Sequence, residues 1–138
     1  MKKIFVLILA TIVFNTVLKA QVMGNQKATW ITIKSNNLKC WECKNVLLNF
    51  LVKEVKANYE NGIIDYVFNL VKGEVRIKYI PDRITPDDIR LVFNEAGFDA
   101  DETKAEEGSY KKIPPACKRT EDGGGPKKGA PCHVEPYN

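Results

Sequence analysis

Between residues 28 and 100 the apolar residues switch repeatedly between a period of two and a helical period, and this alternation leaves few folds open. From Ala28 to Ser35 (ATWITIKS) the run is rich in β-formers, Trp30, Ile31 and Ile33, which predicts a strand. Asn36-Asn37 makes a turn. From about Glu42 to Ala57, Val46, Leu47, Phe50, Leu51 and Val55 recur at helical spacing with Lys53, Glu54 and Lys56 opposite, which predicts an amphipathic helix. Ile64, Tyr66, Phe68 and Leu70 then alternate with Asp65, Val67 and Asn69. Lys72-Gly73 turns the chain, and Val75, Ile77 and Tyr79 alternate with Arg76 and Lys78.

A second helix is announced by its own start and stop. Thr85 can cap, Pro86 suits the first helical position, and Asp87 and Asp88 favour the dipole. Ile89, Val92, Phe93 and Ala96 mark one face, and Gly97 ends it. Phe98-Asp99-Ala100 is read as a short last strand. The expected architecture is α+β, a ferredoxin-like split βαββαβ sandwich with an antiparallel sheet and two helices on one face. Trp30 and Phe93 are expected in its core.

The flanks differ. Met1-Lys2-Lys3, the apolar run Ile4–Val13 and the small Ala20 read as a secretory signal peptide over residues 1–20. Residues 21–27 read as a disordered lead. Without Lys2, Lys3 and Lys19 the 21 basic residues fall to 18 against 17 acidic ones, a net charge of +1. That balance argues against a nucleic-acid partner, and no stable membrane insertion is expected after cleavage. An exported monomer, periplasmic or secreted, is expected. Residues 101–138 read as a flexible, Cys-containing tail; positions 108–138 hold five of the nine glycines and five of the seven prolines. The single histidine, His133, lies in that tail, so histidine general-base chemistry in the folded core is not expected.

Chemistry concentrates at Cys40-Trp41-Glu42-Cys43, between the first strand and the first helix. A helix N-terminus stabilises the thiolate, and this spacing lets both sulfurs meet one soft ion. The same pair can be a redox dithiol or a structural bridge. Against a thioredoxin-type dithiol, Lys39 precedes the pair, Trp41-Glu42 separate it, and the element order differs. Trp41 is read either as a docking residue or as cover for the loop. Lys39 and Lys44 are read as solvated charges, or as offsetting a thiolate complex.

With "LKCWEC" opening the helix, the hairpin "LVKGEVRIKYI" and the stretch "ITPDDIRLVFNEAGFDA", residues 28–100 resemble a heavy-metal-associated (HMA) domain. That family includes copper chaperones, the N-terminal modules of metal-pumping P-type ATPases and the periplasmic mercury-binding protein. The resemblance implies that Cys40 and Cys43 are metal ligands, that Phe98 packs beside their loop, and that no enzymatic turnover occurs. Leu38 stands where the family has methionine and can tether the loop in its place; Asn37 stands where it has glycine. No aspartate sits beside the cysteines, which tilts the expected ion from Zn(II) towards Cu(I) or Hg(II). The implied role is soft-metal binding and transfer by thiolate exchange to a metal transporter or other metalloprotein. The alternative is a thiol–disulfide oxidoreductase or redox sensor.

Cys117 and Cys132 flank a glycine-rich span in the tail. A Cys117–Cys132 disulfide is the expected pairing, leaving Cys40 and Cys43 available. The competing reading is a second soft-metal station made by Cys117, Cys132 and His133.

Overall fold

Strand β1 (Thr29–Lys34) enters the sheet beside β3 (Glu74–Tyr79), and β2 (Ile63–Asn69) pairs with β3 from the other side. Both pairings are antiparallel, so the sheet has three strands in the order β1-β3-β2. The computed structural model describes residues 27–129 and 131–135. The expected signal peptide, and the lead apart from Lys27, lie outside the described residues. Among the described residues no helix is long and apolar enough to cross a membrane.

Opposite pairs on β1 and β3, Ile31 with Ile77 and Ile33 with Val75, set the register that puts their apolar side chains on one face. Helix α1 (Trp41–Asn58) buries Cys43, Leu47, Leu51 and Val55, one residue per turn. Helix α2 (Pro86–Glu95) starts in a capping box between Thr85 and Asp88 and buries Ile89, Val92 and Phe93. The core is continuous across these elements and includes Leu38, Phe98 and Ile84.

Several expectations change. Trp30 is not in the core but 40% exposed, because Ile31 and Ile33 take the inward positions and alternation turns Trp30 outward. There its ring is covered by Arg76, 4.9 Å from the centroid, and by Lys78 at 5.9 Å. Ile64 is also outside, 50% exposed. A register shift between Ile63 and Asp65 places Ile63 in the core instead, before alternation resumes with Tyr66 opposite Ile77.

The fourth strand is absent from the sheet. Ala100 and Thr103 exchange backbone hydrogen bonds with each other at 2.9 Å, closing a turn about Asp101, whose φ is +51°. The segment's link to the sheet is Asp101, whose N–H donates to Lys34 O at 2.8 Å and whose carboxylate accepts from Lys34 N–H at 3.0 Å. The donors that would have built a ladder are taken up elsewhere: Phe98 N–H by Phe93 O, Asp99 N–H by Asn37 Oδ1 and Ala100 N–H by Thr103 O.

The tail after residue 100 is built onto the domain, contrary to the expectation of a flexible segment. Helix α3 (Glu107–Lys112) and two 3₁₀ turns, Pro115–Cys117 and Thr120–Asp122, continue the chain, and Ile113 and Cys117 enter the core. Ile113 lies so close to Gly97 that a Cβ there would meet its Cγ2 at 2.7 Å, and Gly97 has φ +90°. The glycine that ends α2 is therefore also the seat for the tail.

Candidate functional site

The loop from Ser35 to Lys39 carries the chain from β1 to α1. Ser35 N–H donates to Gly73 O at 2.8 Å, and Leu38 is fully buried beneath the loop. Cys40 is the N-cap of α1, with extended φ/ψ and no side-chain capping bond, and its carbonyl accepts the first helical bond from Lys44 N–H at 3.0 Å. Cys43 lies in the first turn, on the inward face. Both cysteines therefore belong to one helical turn, three residues apart, where side chains are neighbours.

Neither carries a free thiol here. Cys40 is bonded to Cys132 and Cys43 to Cys117, with Cα–Cα distances of 4.6 and 5.4 Å. No cysteine is left over. The expected Cys117–Cys132 bridge is replaced by two bridges that each join the tail to the first turn of α1. The physical reason is the docked tail, which carries Cys117 into the core beside Cys43. It also leaves Cys117, Cys132 and His133 without a common centre of their own. Among the described residues no three or more His, Cys, Asp or Glu side chains are placed to hold a metal ion in this oxidised form.

The two bridges sit in different surroundings. Cys43 and Cys117 are both fully buried. Cys40 is buried but its partner Cys132 is only partly so. Cys40 Sγ lies 3.9 Å from Ala116 O and Cys132 Sγ 3.6 Å from Lys39 O, so the outer bridge lies against the chain that carries the inner one. Trp41 N–H, an orphan donor at the helix start, is taken up by Cys132 O at 2.5 Å.

Asn37 is the residue whose role sequence reasoning missed. Its side-chain N–H₂ donates to Gly97 O at 3.1 Å and to Cys117 O at 3.0 Å, and its Oδ1 accepts from Asp99 N–H at 2.9 Å. One buried amide thus ties the cysteine loop to the end of α2 and to the tail. The usable signal was an asparagine where the HMA pattern has glycine. Phe98, expected beside the loop, is fully buried next to this junction.

A second junction pairs Asp99 with Arg119 through two hydrogen bonds, one of them Nε to Oδ2 at 2.8 Å. Arg119 also stacks on Tyr110, 4.2 Å from the ring centroid, and its N–H donates to the Tyr110 hydroxyl at 2.8 Å. Burial alone would raise the Asp99 carboxyl, but Arg119 and the Ala105 N–H hold it below the ordinary value. A carboxyl depressed in the fold stabilises above its unfolded pKa of about 3.9, and that contribution disappears as pH falls through the lower, folded value. In reduced protein, tail docking is accordingly expected to begin weakening as pH falls below about 4. In denaturant melts at pH 5 and pH 3, Asp99→Asn removes most of the difference; an unchanged difference would show that other carboxylates dominate.

Beside the outer bridge runs a groove of about 420 Å³ lined by Trp41, Lys44, Phe68, Leu70, His133 and Glu135. Lys44 Nζ sits 3.9 Å over the Trp41 ring and 5.5 Å from that of Phe68. Trp41 is partly buried and takes part in this packing.

No family model matches the chain, and no curated protein matches it. Among solved structures, one similar chain is the solution structure of a candidate copper-ion-binding protein from Bacillus anthracis str. Ames. It is 24% identical, covers 55% of this chain and 99% of its own, and superimposes with a TM-score of 0.46.

Proposed function

We propose that this protein is an exported carrier of a soft metal ion, with Cu(I) favoured over Hg(II) or Zn(II), that works in its thiol form without enzymatic turnover. The observation that carries the reading is the position of Cys40 and Cys43, at the N-cap and in the first turn of one helix. Reduced there, both sulfurs gain from the helix N-terminus and from softness matched to the ion. The buried Leu38 holds their loop to the core. Delivery to a metal transporter or another metalloprotein then proceeds by exchange of one thiolate at a time. The disulfide form is the closed state of this carrier, since bonded sulfurs offer no thiolate.

Anaerobic titration of the fully reduced protein with Cu(I), read by native mass spectrometry, is expected to end at one ion per chain. The Cys40→Ser/Cys43→Ser variant loses that stoichiometric binding. Equal binding by variant and parent, or none by the reduced parent, overturns the proposal.

A redox reading has one observation in its favour, the accessible Cys132 end of the outer bridge. It requires that the protein catalyse disulfide reshuffling in a scrambled substrate. Absence of catalysis with intact Cu(I) binding decides for the carrier.

A further inference from the structure

We infer that complete reduction converts the two bridges into a single four-thiolate site, Cys40, Cys43, Cys117 and Cys132, of the tetrahedral kind that takes Zn(II) or Cd(II). This rests on the reading that the reduced Cys40–Cys43 pair takes a soft ion, and adds the tail as the other half of the coordination sphere. Four sulfurs meet at one helical turn. Two come from that turn, and each is within bonding reach of a tail sulfur. The outer bridge touches Ala116 O, one residue from Cys117, so the two pairs are adjacent.

Opening requires little movement. Sulfurs that bond at about 2.05 Å lie about 3.8 Å apart on a tetrahedral ion with 2.3 Å Zn–S bonds. Rotation about the cysteine side chains has to part each bonded pair by that much and bring the two pairs around one ion. The chemistry balances with a dithiol as reductant. Each dithiol gives two electrons and two protons to one protein disulfide and leaves as its own cyclic disulfide, so two dithiols yield four protein thiols. The ion then displaces the thiol protons.

The tail has to stay in place once its covalent links are cut, and non-covalent contacts hold it. Asn37 grips Cys117 O, Ile113 fills the space at Gly97, and Arg119 pairs with the buried Asp99. Cys132 keeps one backbone hydrogen bond to the turn, from Trp41 N–H, so its short segment is free to move once reduced and is drawn in by the ion itself. Charge also fits: a divalent ion with four thiolates carries two negative charges, and Lys39, Lys44 and Lys118 each adjoin one of the cysteines in sequence. Tetrahedral sulfur sites select Zn(II), whereas two thiolates alone leave an open site suited to transfer.

The test uses the fully reduced full chain, with Zn(II) and Cu(I) titrated separately under a competing chelator. For Cys117→Ser/Cys132→Ser the Zn(II) affinity is expected to fall by about 100-fold or more, while one Cu(I) per chain is retained on Cys40 and Cys43. X-ray absorption of the Zn(II)-loaded parent is expected to count four sulfurs, which guards against a variant that fails to fold. Parent-like Zn(II) affinity in the variant, or two sulfurs in the parent, overturns the four-thiolate site and leaves the carrier reading standing. If the reduced parent binds neither ion, both fall together.

Discussion

Cys43→Ala/Cys117→Ala lowers the melting temperature of the oxidised protein by roughly 15 °C, while Cys40→Ala/Cys132→Ala lowers it by only a few degrees. The two sequence separations, 92 and 74 residues, differ by 18, so each bridge adds a constraint of similar size when the other is present. Chain entropy for such a loop is about 3 kcal/mol, and each kcal/mol corresponds to roughly 4–8 °C in a domain of this size. The difference arises in the folded state. Cutting the inner bridge leaves two small buried voids and a tail still fastened through Asn37, Ile113 and Arg119, so the folded chain gains little freedom. Cutting the outer bridge frees Pro131–Glu135. Among the described residues this segment has one backbone hydrogen bond to the rest of the chain, from Trp41. The folded state then recovers much of the entropy that the unfolded state recovers. Thermal melts followed by circular dichroism without reductant make the comparison. Equal losses for the two variants would show that the outer segment is held as firmly as the inner.

Local signals were readable where local physics decides. The Thr85-Pro86-Asp87-Asp88 start of α2 and the alternation of β3 depend on neighbours in sequence, and both appear as expected. The expectation of a buried Trp30 failed because the pattern admits two phases, and the alternation of β2 is open in the same way at Ile64. In β1, Trp30 and Ile31 are adjacent apolar residues of which one faces inward, and in β2 a register shift moves the inward position to Ile63. The last strand was lost because Phe98, Asp99 and Ala100 give their N–H groups to Phe93 O, Asn37 Oδ1 and Thr103 O, which a three-residue segment does not reveal.

The cysteine pairing depended on contacts no spacing rule contains. Four cysteines allow three connectivities. The choice among them follows from tail docking, which depends on Asn37 reaching residues 60 and 80 positions away and on Asp99 meeting Arg119. Composition pointed the other way, since a glycine- and proline-rich segment cannot form a core alone. It needs no core of its own when Ile113 and Cys117 join an existing one. Placing Cys40 and Cys43 at the start of the first helix required only the strand–helix junction; finding what they are bonded to required the whole chain.

Limited reduction under native conditions is expected to open the bridges in order, Cys40–Cys132 first. A dithiol must bring its thiolate into line with a sulfur, so rate follows access. Cys132 is partly exposed, whereas both sulfurs of Cys43–Cys117 are sealed in the core. Attack on the inner bridge therefore waits for local opening. An opening that costs even about 3 kcal/mol leaves the sulfur reachable roughly one part in 150 of the time. The outer bridge should thus disappear about two orders of magnitude faster. Trapping with an alkylating agent at increasing times, followed by peptide mass mapping, is expected to show Cys40 and Cys132 labelled together while Cys43–Cys117 stays intact. Simultaneous loss of both bridges would mean that the tail lifts as one piece, and earlier labelling of Cys43 would mean that the core opens before the outer segment. On the proposed carrier reading, the order also determines which groups an incoming ion would meet. The first thiolate exposed on α1 is the one at its N-cap, with Cys132 as a second sulfur and His133 next to it in sequence. Loading can begin at that accessible edge and move inward only when the buried pair is reduced.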